Sequence, residues 1–228
     1  AGASLSTLDE VSSKALLQAY AFPVPREELV QSEEAAVVAA ARIGYPVVAK
    51  IVSAALPHKS EIGGVKINLQ DEAAVRAAYR AILKSAQALP NSPKIEGVLI
   101  AQMVKGDLEL VLGAKLDPEM GPVILFGSGG IDIELTRDVA LAACPLDEAA
   151  AHDLIARTRA GTIAGGYRGR PVLDRHALAK ALVALSDLMM DAQGQIAEID
   201  INPFLLSQTG GVALDALIVR SEPSHHHH

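Results

Sequence analysis

Tryptophan is absent from this chain, and its 228 residues include only three phenylalanines, four tyrosines and one cysteine. With so few rings, packing falls to alanine, leucine, isoleucine and valine. Apolar residues fill 50% of the sequence, enough for a sizeable core. The single cysteine, Cys144, excludes an internal disulfide and makes the cytoplasm the default setting. Basic residues are in deficit: 20 Lys and Arg stand against 27 Asp and Glu, a formal charge of −7. A nucleic-acid binder usually carries a basic face, so that class is disfavoured. A nucleotide ligand is not, because a few lysines and backbone amides can hold phosphates in an acidic protein. No apolar run approaches the roughly 18 residues of a membrane span, and no signal-peptide pattern opens the chain. His225 to His228 read as an affinity tag, which leaves His58, His152 and His176. The sequence starts at Ala1 without methionine, as expected if Met was removed or if this is a piece of a longer protein.

The length suggests one large domain or two lobes. Thr7-Leu-Asp-Glu10 is a capping-box pattern before a helix to Tyr20, stopped by Phe22-Pro-Val-Pro25. Ser32 can cap a helix through Arg42, with Gly44 past its end. Strands are expected over 45–52 and 64–69, then a helix from Asp71 to Ala88 and a loop over 90–94. Further strands follow at 96–104, 107–116 and 122–126, and helices near 147–158 and 174–190. The end reads as a hairpin: Gln195 to Leu206, a turn at Gly210-Gly211, and Val212 to Val219. Strands in hairpins mixed with strands separated by helices make this α+β, not a doubly wound sheet.

Four places carry chemistry. Lys50 interrupts the apolar strand Val47-Val-Ala-Lys-Ile-Val52, costly unless it meets a fixed anion or snorkels from an edge strand. Lys66 repeats the pattern one strand later, so the two lysines could face each other across a phosphate. His58 lies beside Lys59 and the Gly63-Gly64 pair, whose amides could approach an anion. An exposed turn histidine is the plain alternative, and no cysteine or second histidine at ligand spacing supports a metal there. Alternation puts Glu198, Asp200 and Asn202 on one face of a strand, and with Asp215 across the hairpin they suit a hard cation such as Mg²⁺. The fourth place is Phe126-Gly-Ser-Gly-Gly-Ile131, followed by Glu134 and Asp138, a glycine loop that could cradle phosphate or only turn the chain. Gly165-Gly-Tyr-Arg-Gly169 is a second such loop. His152 and His176 are expected on solvent-facing helix surfaces, and Cys144 buried and inert.

Together, IGYPVVAKIVS, LPHKSEIGGVKINL, ELVLGAKLDPEMGPVILFGSGG, GGYRGRP and EIDINPF resemble the ATP-grasp domain of ADP-forming (NDP-forming) acyl-CoA synthetases, of the acetate–CoA ligase β-subunit type. The resemblance runs from about Leu5 to Arg220. It implies an α+β ATP-grasp fold of two lobes with the nucleotide site between them. The expected segments are an N-terminal helix (1–21), a smaller lobe (22–104), a larger lobe (105–220) and a tail (221–228). The implied reaction is acyl-CoA + ADP + phosphate ⇌ acid + CoA + ATP, with ATP/ADP and Mg²⁺ bound. By resemblance, Lys50 holds nucleotide phosphates, His58 relays the phosphoryl group, and Asp200 orients a phosphohistidine. Ile100, Gln102, Met103 and Val104 belong to the adenine hinge and Glu109 binds ribose. Ser128, Gly129 and Gly130 face the phosphoryl group, and Asn202 and Asp215 hold Mg²⁺. The hinge departs from the usual Gln-Glu-Met, reading Ala101-Gln102-Met103. The CoA-binding domain and the ligase domain with its own phosphohistidine are not in this sequence, so a partner domain or α subunit is implied. Two other readings are a nucleotide-sensing scaffold fused to a protein acetyltransferase, and an ATP-grasp ligase joining a carboxylate to an amine.

Overall fold

The computed structural model describes residues 4–56, 59–130 and 138–222. They fold as two compact units. The smaller takes Asp9–Val11 and Pro25–Val104; the larger takes the described residues up to Leu8, Ser12–Val24 and the chain from Lys105 onward. The N-terminal helix contributes residues to both units.

In the smaller unit, four antiparallel strands lie in the order β2 (Glu27–Val30), β5 (Gly97–Gln102), β3 (Val47–Val52), β4 (Val65–Leu69). Two helices cover one face: α2 (Glu33–Ile43) and α3 (Glu72–Gln87). Both begin where a side chain satisfies an orphan amide. Ser32 accepts from Ala35 N at 3.1 Å, and Asp71 from Ala74 N at 2.8 Å. Gly44 ends α2 at φ 99°, a conformation that favours glycine. Val47, Ala49, Ile51, Val98 and Ile100 bury against Ala36, Ala39, Ala40, Val75, Ala78 and Ile82. Small alanines let the helices lie close to the sheet, so this core needs few aromatic rings. The polar strand β2 was not apparent in the sequence; Glu27-Glu-Leu-Val30 has one buried residue.

The larger unit is built on a seven-stranded sheet, ordered β1 (Ser4–Thr7), β11 (Ala216–Glu222), β9 (Ile196–Ser207), β6 (Leu108–Asp117), β7 (Gly121–Ser128), β8 (Val139–Ala143), with β10 (Gly210–Ala213) also on β9. Every described pairing is antiparallel. Three helices follow β8: α4 (Glu148–Ala156), α5 (Arg159–Ala164) and α6 (Arg175–Ala192). Leu178, Leu182, Leu185 and Met189 of α6 recur at helical spacing and bury against Leu112, Ile124, Phe126, Ile199 and Ile201. Two of the three phenylalanines, Phe22 and Phe204, meet edge to face with centroids 5.8 Å apart.

Three expectations change. The terminal hairpin turns at Gln208-Thr209, while Gly210 and Gly211 lie inside β10. The apolar run 212–219 is then split between β10 and β11 at Leu214-Asp215: Leu214 N donates to Pro203 O (3.0 Å) in register with β10, but a proline has no N–H to return the bond. Cys144 is half-buried, and burial pushes its thiol up, which keeps it protonated. Strands β1 and β8 were also missed; both are short edge strands with largely exposed side chains.

Candidate functional site

In the smaller unit the centre of interest is Lys50. Strand β3 lies between β5 and β4, so Lys50 is not on an edge and does not snorkel. Its cross-strand neighbours are Leu99 and Val65, both apolar. The ammonium is only 9% exposed with its residue, and it sits 3.2 Å from Glu10 Oε2. Lys59, the first residue of a 3₁₀ turn (Lys59–Ile62), binds the other oxygen of the same carboxylate. Glu10 is 3% exposed, so one buried carboxylate joins two lysines. The capping-box reading had missed this: Glu10 is the first residue of α1 (Glu10–Ala19) and its carboxylate turns to the lysines.

The two glycines act through packing. Gly63 adopts φ 72°, and Gly64 N donates to Lys59 O at 2.8 Å while its carbonyl accepts from Ile51 N at 2.7 Å. A Cβ on Gly64 would lie 2.6 Å from Ile51 Cγ2 and 2.9 Å from Lys59 O. Only glycine lets the turn close onto β3. The register corrects the reading of Lys66. It pairs with Ala49, and directly opposed residues share a face. Ala49 faces the helices, so Lys66 leaves the sheet on the opposite face from Lys50, and the two do not face each other. The lysine that joins Lys50 is Lys59. His58 lies outside the described residues.

At the end of β5, Ile100 is fully buried and paired with Glu28 and Ala49 on either side. Gln102 N donates to Arg26 O at 2.8 Å and Met103 N to Pro46 O at 3.4 Å. Met103 and Val104 lie past the strand, where the backbone leaves the ladder.

The larger unit holds two groups. In the first, Gly129 N donates to Glu109 O at 2.9 Å, which seats residues 128–130 against β6 and brings Glu109, Ser128, Gly129 and Gly130 together. Ser128 Oγ donates to Asp138 Oδ2 at 2.5 Å, and the same carboxylate accepts from Arg159 N (2.8 Å) and Ala160 N (2.9 Å) at the start of α5. Burial would push the Asp138 carboxyl up, but the hydrogen bonds from Ser128 and the two amides outweigh it and hold it below the usual range. Residues 131–137, Glu134 among them, lie outside the description.

This geometry carries a prediction. Asp138→Asn should lower stability by about 1–2 kcal/mol, the typical cost of losing a helix-capping carboxylate. Because the folded-state value is depressed, the contribution is present above the ordinary carboxylate range and lost as pH falls through the folded value. Denaturation midpoints at neutral and acid pH should therefore differ less in the variant than in the parent; an equal difference contradicts the assignment.

In the second group, Ile199 and Ile201 of β9 are buried, while Glu198 and Asn202 are exposed and Asp200 half-buried, as alternation requires. Asp200 is flanked across the ladder by Gly113 and Leu217. Burial first, and then the negative charge of Glu198, push its carboxyl up. Asn202 N donates to Asp215 O at 3.3 Å, which places these two residues side by side at the break before β11. Nearby, the fully buried Lys14 donates from Nζ to Leu214 O at 2.9 Å, a contact that sequence reasoning missed. The donors here are all oxygens, and two carboxylates on one face are relieved by positive charge. The set fits a hard divalent cation such as Mg²⁺.

The ATP-grasp domain family model matches residues 2–219. The β subunit of ADP-forming acetate–CoA ligase I from Pyrococcus furiosus is 36% identical over 212 residues, covering 93% of this chain and 91% of that subunit. The chain belongs to the ATP-grasp domains of the ADP-forming acid–CoA ligases. The ADP-forming 4-hydroxybutyrate–CoA ligase of Nitrosopumilus maritimus is 41% identical over 201 residues, 88% of this chain but 29% of that protein. The ATP-grasp domain thus spans nearly all of a separate β subunit and about three tenths of a single-chain ligase. Among solved structures, acetyl-coenzyme A synthetase 1 of Ca. Korarchaeum cryptofilum with coenzyme A, Ca-AMPCP and HgCl⁺ superposes with a TM-score of 0.90 at 37% identity, covering 94% of this chain and 93% of that one. The same synthetase has been solved with coenzyme A and Mg-AMPPCP, its phosphohistidine segment pointing towards the nucleotide-binding site (TM-score 0.82, 35% identity, the same coverage). The antiparallel sheets and mixed helices described above are those of this fold.

Proposed function

We propose that this ATP-grasp domain is the nucleotide half of an ADP-forming acid–CoA ligase, moving a phosphoryl group between a phosphohistidine on a partner domain and ADP. The observation that carries the reading is Lys50. It is a buried cation held by the carboxylate of Glu10, with apolar Leu99 and Val65 opposite it on either side, in a chain related to ADP-forming ligases. In an ATP-grasp domain, a nucleotide phosphate is an anion such a lysine would take alongside Glu10.

Each unit supplies different parts. From the smaller come Lys50 as phosphate cation, the backbone at Gln102–Val104 for the adenine edge, and His58 as relay. From the larger come Glu109 for ribose, Ser128 to Gly130 for the phosphoryl group, and Asp200 to orient the incoming phosphohistidine. Asn202 and Asp215 would hold Mg²⁺, which when bound neutralises phosphate charge and orients the transferring group. The transfer itself conserves bonds: the N–P bond of the partner's phosphohistidine breaks as one forms on a His58 ring nitrogen. That bond in turn breaks as a β-phosphate oxygen of ADP takes the phosphoryl group. The acyl and CoA steps belong to the partner domain or α subunit. No described helix is long and apolar enough to cross a membrane. Nucleotide substrates and a single thiol suit the cytoplasm.

Reconstitution tests this. Mixed with the CoA-binding and ligase part of a related synthetase, the chain should form ATP from acetyl-CoA, ADP and phosphate. Neither part should do so separately. A mixture that stays inactive while each part is folded, and the two associate, would overturn the reading in favour of a scaffold.

A further inference from the structure

His152 and His176 take no part in the groups above, yet the fold brings them together. Helix α4 carries Glu148 and His152 one turn apart, so they share a face. Helix α6 begins at Arg175 behind its cap Asp174, which puts His176 in its first turn. Packing of α4 on α6 through Leu154, Ile155, Leu178 and Leu182 fixes the two helices within the larger unit. Glu148 Oε1 then stands 2.9 Å from His176 Nδ1 and 3.9 Å from His152 Nε2. One donor atom from each of the three lies within 4.8 Å of the other two. All three side chains are exposed, and His152 and His176 line an open depression with Asp174 and Gln208.

We propose that Glu148, His152 and His176 form a three-ligand site for a divalent transition-metal ion of the zinc type, with its remaining position open to solvent. Two imidazole nitrogens and one carboxylate oxygen are a zinc donor set, with bonds of about 2.0–2.2 Å. Tetrahedral geometry at such bonds sets neighbouring donors roughly 3.3–3.5 Å apart. The two distances to Glu148 bracket that span, so small side-chain rotations at the surface complete the site. Magnesium and calcium prefer oxygen donors and belong with the Asn202 and Asp215 group instead. Both helices are anchored by the core and by their own caps, so the site is largely preorganised. An ion there would clip the start of α6 to α4 and stabilise the larger unit by mass action.

The test uses the chain ending before His225, since the terminal histidines bind the same ions. Titration with Zn²⁺ should show one saturable site, and Co²⁺ should give the intense visible absorption of a four-coordinate nitrogen–oxygen site. His152→Ala and His176→Ala should each weaken binding at least about tenfold and remove the absorption. Both residues are on the surface, so the variants should keep the parent's far-ultraviolet circular dichroism and melting temperature without metal. Zinc should raise the melting temperature of the parent and not of the variants. No saturable binding, or binding equal in parent and both variants, would overturn the site and leave a surface ion pair.

Discussion

Glu10→Ala is expected to destabilise the protein by about 3–5 kcal/mol, read as a lower urea midpoint, because a buried ammonium is left without the carboxylate that offsets it. Lys50 is 9% exposed and Glu10 3%, and no edge lets the lysine reach out to water. Three features distinguish this from an ordinary contact deletion. First, Glu10→Ala/Lys50→Met should be less destabilised than the sum of the single changes, since removing Lys50 with Glu10 leaves no ammonium inside the strand, although Lys59 still loses its carboxylate. Second, nucleotide should stabilise the variant more than the parent, because phosphate brings a replacement anion to the same lysine. Third, Lys59 leads the turn that follows His58, and it is tied to the second Glu10 oxygen. Losing Glu10 should therefore also slow phosphoryl transfer. A loss under about 1 kcal/mol would show that the ion pair is not what holds Lys50 inside the sheet.

The second large effect is chemical. His58→Ala should reduce ATP formation in the reconstituted ligase to background while nucleotide binding stays near the parent's. The imidazole of His58 in LPHKSEIGG can take a phosphoryl group as a nucleophile and release it again. Lys59 beside it supplies a fixed positive charge, and neutralising charge is most of what a phosphoryl-transfer site must do. A phosphorylated imidazole, stable to base and labile to acid, should be trapped in the parent and missing from the variant. Full activity in His58→Ala would remove the relay and leave direct transfer from the partner's phosphohistidine.

Much of this was legible because local physics and the fold agree. Ser32 and Asp71 cap the helices where their spacing said they would. The polar face of β9 follows from alternation, and Lys50 stood out as a charge in an apolar strand. What could not be read is set by tertiary contact. In α1 the buried positions are Glu10, Ser13, Lys14 and Leu17, a helical stripe made mostly of polar residues. A reading by hydrophobic period turns that helix towards Val11 and Leu16 instead. The reading of Lys66 failed for a geometric reason: the register shift between Val47 and Ala49, with Asn68 at φ 55°, decides which face it takes. Strand pattern does not encode such an irregularity. Asp138 is similar, since its three partners come from β7 and α5, distant in sequence. His152 and His176 looked like unrelated surface residues until the packing of α4 on α6 placed both beside Glu148.

The central claim is that Lys50 is the phosphate cation of a nucleotide site. Calorimetric titration of the parent and of Lys50→Ala with Mg-ADP and Mg-ATP tests it most directly. The account predicts saturable, one-to-one binding by the parent, lost in a variant whose circular dichroism shows it folded. Equal binding by parent and variant, or a folded parent that takes up neither nucleotide, would contradict it.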